Sequence, residues 1–258
     1  MLATRPPDAG ADDPSWDQKE MPFTEHLREL RQRLIVCVVT VFAIAVLALW
    51  PAQQLIPIIT HAYFGNMKLN AFGPADAVWA IFKFALYIAV VIGLPVILYQ
   101  TWMFVVPAIN PKTRKAVYIY VAPSIFLAAG GIAFAHFLVL PRVVGALLNI
   151  TSSIAEPVFG IESTVNLVLL LFLAFALIFQ TPVVMVLLAR IGLVNSTFLR
   201  KNRKYIGFGM MVVGAILAPD GSPLTMTLLA APMYVLFESS IWIIVLLEKS
   251  WKRSAETP

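Results

Sequence analysis

Six stretches of this 258-residue chain are apolar enough, and long enough or nearly so, to leave water altogether: roughly 34–54, 79–103, 117–140, 164–188, 205–219 and 224–247. The hydrocarbon core of a bilayer is about 30 Å thick and a helix rises about 1.5 Å per residue, so about 20 apolar residues span it. Unpaired amides are costly in lipid, so a crossing chain must be helical or form a closed barrel. Continuous rather than alternating apolar runs exclude the barrel. The expected fold class is therefore all-α, a polytopic membrane protein of six transmembrane helices. Composition agrees, at 60% hydrophobic and 13% charged residues. Soluble domains run at about 45–50% and about 25%, and no soluble fold of this size has interior enough for the surplus. A soluble enzyme, a disordered regulator and a nucleic-acid-binding module are all disfavoured.

The bases set the orientation. With the N-terminus placed in the cytoplasm, sixteen of the nineteen lie on the cytoplasmic side, and only Lys68, Lys83 and Arg142 lie on or near the other. Short loops rich in Lys and Arg stay inside, so both termini are expected in the cytoplasm. Residues 1–20 carry five acids (Asp8, Asp12, Asp13, Asp17, Glu20) and two bases among Pro and Gly, without an apolar stretch. They read as a solvated, disordered cytoplasmic tail, not as a secretory or transit signal. Residues 21–248 form the transmembrane domain and 249–258 a second cytoplasmic tail. The outer segments, about 55–78 and 141–163, mix apolar and polar residues and are expected to form short capping helices. Their acids Asp76, Glu156 and Glu162 read as solvated loop charges.

Spans five and six are short. Only 15 residues separate Lys204 from Asp220, about 22 Å of helix. Span six is apolar for 14 residues before Glu238. Such a hairpin is expected to thin the bilayer beside it or tilt the protein. Pro95, Pro123, Pro182 and Pro232 lie inside spans two, three, four and six, where each removes a helix hydrogen bond and favours a kink. Kinked helices build a concave wall.

Polar groups inside spans are expensive and mark function. Glu238 interrupts span six and Gln180 sits deep in span four. Glu238 has three open partners: Gln180, a partner helix, or the cytoplasmic headgroups. Lys83 and Glu248 lie near span ends and can snorkel. Ahead of span one, Thr24 can cap a helix on which Leu27, Leu30 and Leu34 share a face. There Glu29 and Arg33, four apart, can pair. A carboxylate at the cytoplasmic headgroup level is a natural receptor for a guanidinium, through a bidentate fork that lysine cannot copy.

Searches for chemistry come back empty. The sequence has no HExxH, no GxSxG, no Walker loop and no paired intramembrane aspartates. Cys37 is the single cysteine, and His26, His61 and His136 are far apart. The chain therefore reads as no enzyme, with no cofactor and no metal.

His26-Leu27-x-Glu29-Leu30-Arg31-x-Arg33-Leu34 resembles the N-terminal signature of the TatC family, the signal-peptide receptor subunits of twin-arginine protein translocases. Pro95-Val-Ile-Leu-Tyr99-Gln100-x-Trp102-x-Phe104-x-x-Pro107 resembles that family's second-span signature. Phe179-x-x-Pro182, Arg200-Lys-x-Arg203, Ala218-Pro219-Asp220 and Pro232-Met-Tyr234-x-Leu-Phe-Glu238 follow in order. The resemblance implies a glove-shaped, six-helix protein in the cytoplasmic (inner) membrane of a bacterium or archaeon. It implies binding of twin-arginine signal peptides on folded precursors and partnership with TatA-like and TatB-like single-span subunits in a homo-oligomer-containing complex. Transport would be driven by the proton-motive force. By position, Glu29 would bind the signal-peptide arginines, with Arg31, Pro95 and Phe104 supporting the site and Asp220 important on the outer turn. Two departures stand out. Thr113 occupies the first-loop position where the family usually has a second arginine-binding glutamate. Gln180 replaces a frequent span-four glutamate, keeping hydrogen bonding without charge, and is a candidate partner-helix contact alongside Glu238. The alternative reading, a small-solute secondary transporter, calls for internal repeats and a midplane site. Residues 22–140 and 141–248 show no convincing repeat.

Overall fold

The computed structural model describes residues 23–65, 67–109, 117–190, 192–218 and 221–256. Thr113 and Asp220 lie outside the described residues, as does the acidic tail. Among the described residues the regular structure is helical. The helices are α1 (Phe23–Phe64), α2 (Asp76–Ile109), α3 (Val117–Phe134), α4 (Leu140–Ser152), α5 (Ile161–Ile178), α6 (Thr181–Arg190), α7 (Ser196–Lys201), α8 (Arg203–Leu217) and α9 (Pro223–Glu256). A π-helical turn, Ala135–Val139, joins α3 to α4 without a break in the coil. Five segments are long and apolar enough to cross a membrane: Glu25–Phe64, Asp76–Val105, Ile119–Ser152, Ile161–Arg190 and Pro223–Lys249. The sixth apolar stretch of the sequence is α8, at 15 residues.

The helices exceed the apolar runs that announce them. The segment ahead of span one forms the first turns of α1, which continues through Pro51 and Pro57 to Phe64. There Gly65, at φ +60°, ends it with its N–H on the His61 carbonyl at 2.9 Å, a left-handed cap that glycine adopts without strain. Of the two segments expected to hold short helices, 141–163 does so, as α4. In the first, the helical part belongs to α1. Span four is interrupted at Phe179–Gln180, with Pro182 in the first turn of α6 beyond the break.

Packing proceeds along the chain of neighbours α1–α2, α2 with α3 and α5, α3–α5, α6–α9 and α8–α9. Small side chains (Ala48 and Ala52 against Ala80 and Ala85) are buried with Phe84 where α1 meets α2. Such residues let helix backbones approach closely in lipid, where packing rather than water expulsion drives association. Gly131 shows the limit: a Cβ there would lie 2.4 Å from the Phe175 carbonyl oxygen of α5. A larger cluster joins the π turn, α4, α5 and α9 through Val139, Leu140, Val143, Leu171, Phe175 and Leu229. The opposite faces carry exposed Phe42, Leu47 and Trp50 on α1, Phe82 on α2, Phe126 on α3 and Trp242 on α9. Exposed apolar side chains on every long helix are wrong for water and right for lipid.

The outer segments are held more firmly than solvated loops. Asn70 donates its N–H to Phe159 O and Ile161 donates its N–H to Asn70 O, each at 2.9 Å, so two segments meet through backbone alone. The reading of Asp76 and Glu162 as solvated charges is corrected here. Asp76 Oδ2 accepts the N–H groups of Phe72 (2.9 Å) and Gly73 (2.8 Å), closing the turn before α2. Glu162 pairs with Lys83 at 2.6 Å across α5 and α2. Glu156 is exposed.

Candidate functional site

Where α1 begins and α2 ends, three helical turns of sequence converge on one carboxylate. Four residues of helix bring Arg33 back over Glu29, and Glu29 Oε1 accepts from Arg33 Nε at 3.1 Å and also from Nη2. The third guanidinium nitrogen in the cluster, Nη1, donates to Gln100 Oε1 of α2 at 3.0 Å. Arginine has donors only, so the Gln100 carboxamide must present its oxygen there. On the other side of the carboxylate, His26 Nδ1 lies 3.9 Å from Glu29 Oε2, beyond hydrogen-bond reach. The His26 ring lies flat on Phe104 of α2, with centroids 4.2 Å apart and planes 7° apart. Glu29 and Arg33 are each about one-fifth exposed.

Of the residues singled out by sequence, Glu29 and Phe104 therefore share one cluster, bridged by His26. Arg31 and Pro95 are exposed, and no hydrogen bond or ring contact joins them to it among the described residues. Gln100 and His26 are the members that sequence reasoning missed as site residues. Gln100 stands 67 positions from Arg33, and only its place beside Tyr99 in the second-span motif pointed to it. His26 opens the first motif.

The intramembrane polar residues lie elsewhere. Glu238 of α9 accepts from Arg203 Nη2 of α8 at 2.9 Å, which answers the question of its partner within the chain: it is Arg203, not Gln180. Arg203 Nε and Glu238 Oε1 are buried without a partner. Gln180 donates Nε2 to Ser124 O of α3 at 3.0 Å, and its Oε1 is buried without a partner. Ser124 is itself buried and its hydroxyl accepts from Trp102 Nε1 at 2.8 Å. A polar seam thus crosses α2, α3 and the break after α5. Glu248 does not reach for the interface alone: it accepts from Ser196 N (2.9 Å) and Oγ (2.7 Å), fastening α7 to α9. Among the described residues no group of three His, Cys, Asp or Glu is placed to hold a metal ion.

Chemically, the Glu29 cluster can bind a planar cation. Two acceptors on two helices surround one guanidinium, and no nucleophile is aligned with a base there.

Comparison with known proteins bears on this geometry. Residues 25–232 match the family described as Sec-independent protein translocase protein (TatC). The TatC protein of Aquifex aeolicus is 34% identical over 228 residues, covering 86% of this chain and 94% of its own. TatCy of Bacillus subtilis is 33% identical, covering 87% and 89%. The TatC protein of Escherichia coli K12 is 34% identical, covering 86% and 87%. Two crystal structures described as the twin arginine translocase receptor TatC superpose with a TM-score of 0.76 at 31% and 33% identity. They cover 85% and 86% of this chain and 99% of their own.

Proposed function

The chain belongs to the TatC family of Sec-independent protein translocase proteins, and on that premise we propose that it is the core receptor of a twin-arginine export system. Membership makes it a component of a protein translocase, a transport protein rather than an enzyme, and its long apolar helices make it a multi-pass membrane protein. The finer reading is ours. Glu29 binds the arginines of signal peptides on folded precursors at the cytoplasmic face, with Arg31, Pro95, Phe104 and Thr113 forming the surrounding surface. TatA-like and TatB-like single-span subunits join it, with Gln180 and Glu238 as the candidate contacts to those helices. The proton-motive force drives transport across the cytoplasmic membrane. Both termini are cytoplasmic, α8 is a short sixth crossing, residues 1–20 and 249–258 are tails, and Asp220 acts on the outer turn.

The observation that carries this reading is that the Glu29 carboxylate holds a guanidinium, that of Arg33, at the end where α1 begins. A buried or half-buried carboxylate that binds one guanidinium has the shape and charge to bind another. The strong cytoplasmic bias of the bases places that end inside. The test is binding of a labelled twin-arginine signal peptide to the full-length protein in nanodiscs. Glu29→Gln, which keeps shape and removes charge, is expected to weaken binding by about 30-fold or more, as truncation of one partner in a close charge pair does. Unchanged binding would reject Glu29 as the anchor.

A further inference from the structure

We propose that Glu29 and Gln100 together form a two-acceptor guanidinium receptor, that Arg33 is its resident occupant, and that an arriving signal-peptide arginine takes Arg33's place. The inference rests on the reading of Glu29 as the signal-peptide anchor and names how that anchor discriminates.

An intrahelical Glu–Arg pair needs no third party. Here one guanidinium is gripped from two helices: its Nε and Nη2 edge by Glu29 Oε1 of α1, its Nη1 by Gln100 Oε1 of α2. That is recognition of a plane, not of a point charge. An ammonium presents its donors from a single centre and cannot meet both acceptors in the same geometry. Gln100 supplies its acceptor without a charge, so the receptor carries a single negative charge and is neutral when it holds a single guanidinium.

The resident is poised to leave. The pair spans one helical turn at a partly exposed site, so Arg33 can leave the carboxylate without moving a helix. Glu29 Oε2 meanwhile faces His26 across 3.9 Å and takes no hydrogen bond among the described residues. It is the open side of the carboxylate. His26, stacked on Phe104, walls that side with an aromatic plane. An incoming guanidinium can engage Oε2 first and then slide into the place between Glu29 and Gln100 as Arg33 swings to solvent. Arg33 thus keeps the carboxylate satisfied between ligands, and Gln100 is a specificity-determining contact.

The experiment is the same peptide titration on the full-length protein in nanodiscs, with four variants and two peptides. Gln100→Leu, similar in size and without an acceptor, removes the same hydrogen bond from the resident Arg33 and from the incoming guanidinium, so it is expected to bind the twin-arginine peptide within about twofold of the unaltered protein. Gln100→Glu, which keeps the oxygen, likewise binds the twin-arginine peptide at least at the original level. Arg33→Gln removes the competitor and tightens binding about fivefold or more, because the resident gives up its hydrogen bond to Gln100 as well as its pair with Glu29. A twin-lysine peptide, which does not use that acceptor, meets a resident held by one hydrogen bond fewer and is expected to bind Gln100→Leu about fivefold to tenfold more tightly than it binds the unaltered protein. A gain of binding cannot be imitated by misfolding. If Glu29→Gln leaves binding unchanged, the receptor reading itself falls. If Glu29→Gln loses binding while Gln100→Leu leaves twin-lysine binding unchanged or weaker, or Arg33→Gln binds more weakly than the unaltered protein, the exchange proposal alone is overturned.

Discussion

Glu29 finds Arg33 one turn along its own helix, whereas Glu238 finds Arg203 on a different helix, 35 residues away. The first pair forms wherever α1 is helical. The second exists only when α8 is seated on α9, and it leaves Arg203 Nε and Glu238 Oε1 buried and unpartnered. The same two functional groups therefore contribute differently. A local pair can be exchanged without moving a helix, which suits recognition. A pair across helices fixes how two elements meet, and breaking half of it leaves a partly buried charge without its partner.

That contrast is open to attack, beginning where the effect is largest. Gly214 lets α8 approach α9: a Cβ there would sit 2.8 Å from Met226 O and 3.3 Å from the Ala230 Cβ. Gly214→Leu is expected to lower stability by about 3 kcal/mol, the upper range for overpacking, and to expose α8 to protease. Gly209→Leu on the same helix, where nothing lies within 4 Å, is expected to stay within about 0.5 kcal/mol of the original in thermal unfolding. Equal losses at both positions would mean that α8 is intolerant for reasons other than its seat on α9.

Next comes the ion pair itself. Glu238→Leu is expected to cost about 2 kcal/mol, below the 3–5 kcal/mol of a fully buried pair because Arg203 remains 41% exposed. Arg203→Leu combined with Glu238→Leu is expected to recover part of that, giving a coupling of about 1 kcal/mol in a double-mutant cycle. Additive losses would show that the pair does not couple the helices. The smallest effect sharpens the other side of the comparison. Arg33→Gln is expected to change unfolding stability by about 1 kcal/mol, the pair with Glu29 and the hydrogen bond to Gln100 together. A loss as large as that of Glu238→Leu would make the Glu29 pair structural and erase the distinction.

Legibility followed sequence distance. The apolar runs lie in continuous stretches of sequence, so the long helices were readable from hydropathy, and the Glu29–Arg33 pair from a spacing of four. The same arithmetic misplaced helix ends: α1 runs past its apolar stretch in both directions because nothing in 21–64 stops a helix before Gly65, Pro51 and Pro57 being tolerated within it. Contacts between distant segments were not readable. Lys83–Glu162 and Arg33–Gln100 join positions 79 and 67 apart. Charge type alone made Lys83 a snorkelling end residue and Glu162 a loop charge, and only the packing of α2 on α5 makes them partners. Gln100 was visible as part of a motif, yet its role as an acceptor depends on where α1 lies against α2. The π turn at Ala135–Val139 has no signature in hydropathy, since one extra residue per turn leaves an apolar run equally apolar.

The link between Asn70 and the Phe159–Ile161 segment is made of peptide groups, N–H to carbonyl in both directions. Its specification is thus indifferent to most chemistry. Any side chain at exposed Asn70 that keeps an amide hydrogen preserves the stitch, Ile161 must also stay apolar because it packs against the α1–α2 cluster, and proline, which lacks the hydrogen, is the residue each position must refuse. Between them Gly160 is constrained for another reason, because a Cβ would press to 3.1 Å from the Phe72 ring and from Ser163 Oγ. A saturation library across these positions should therefore drift freely at Asn70 apart from a single forbidden imino acid, stay apolar at Ile161, and stay narrow at the glycine. The joint is in that sense written in main-chain grammar, which leaves the lettering of its exposed side free to diverge.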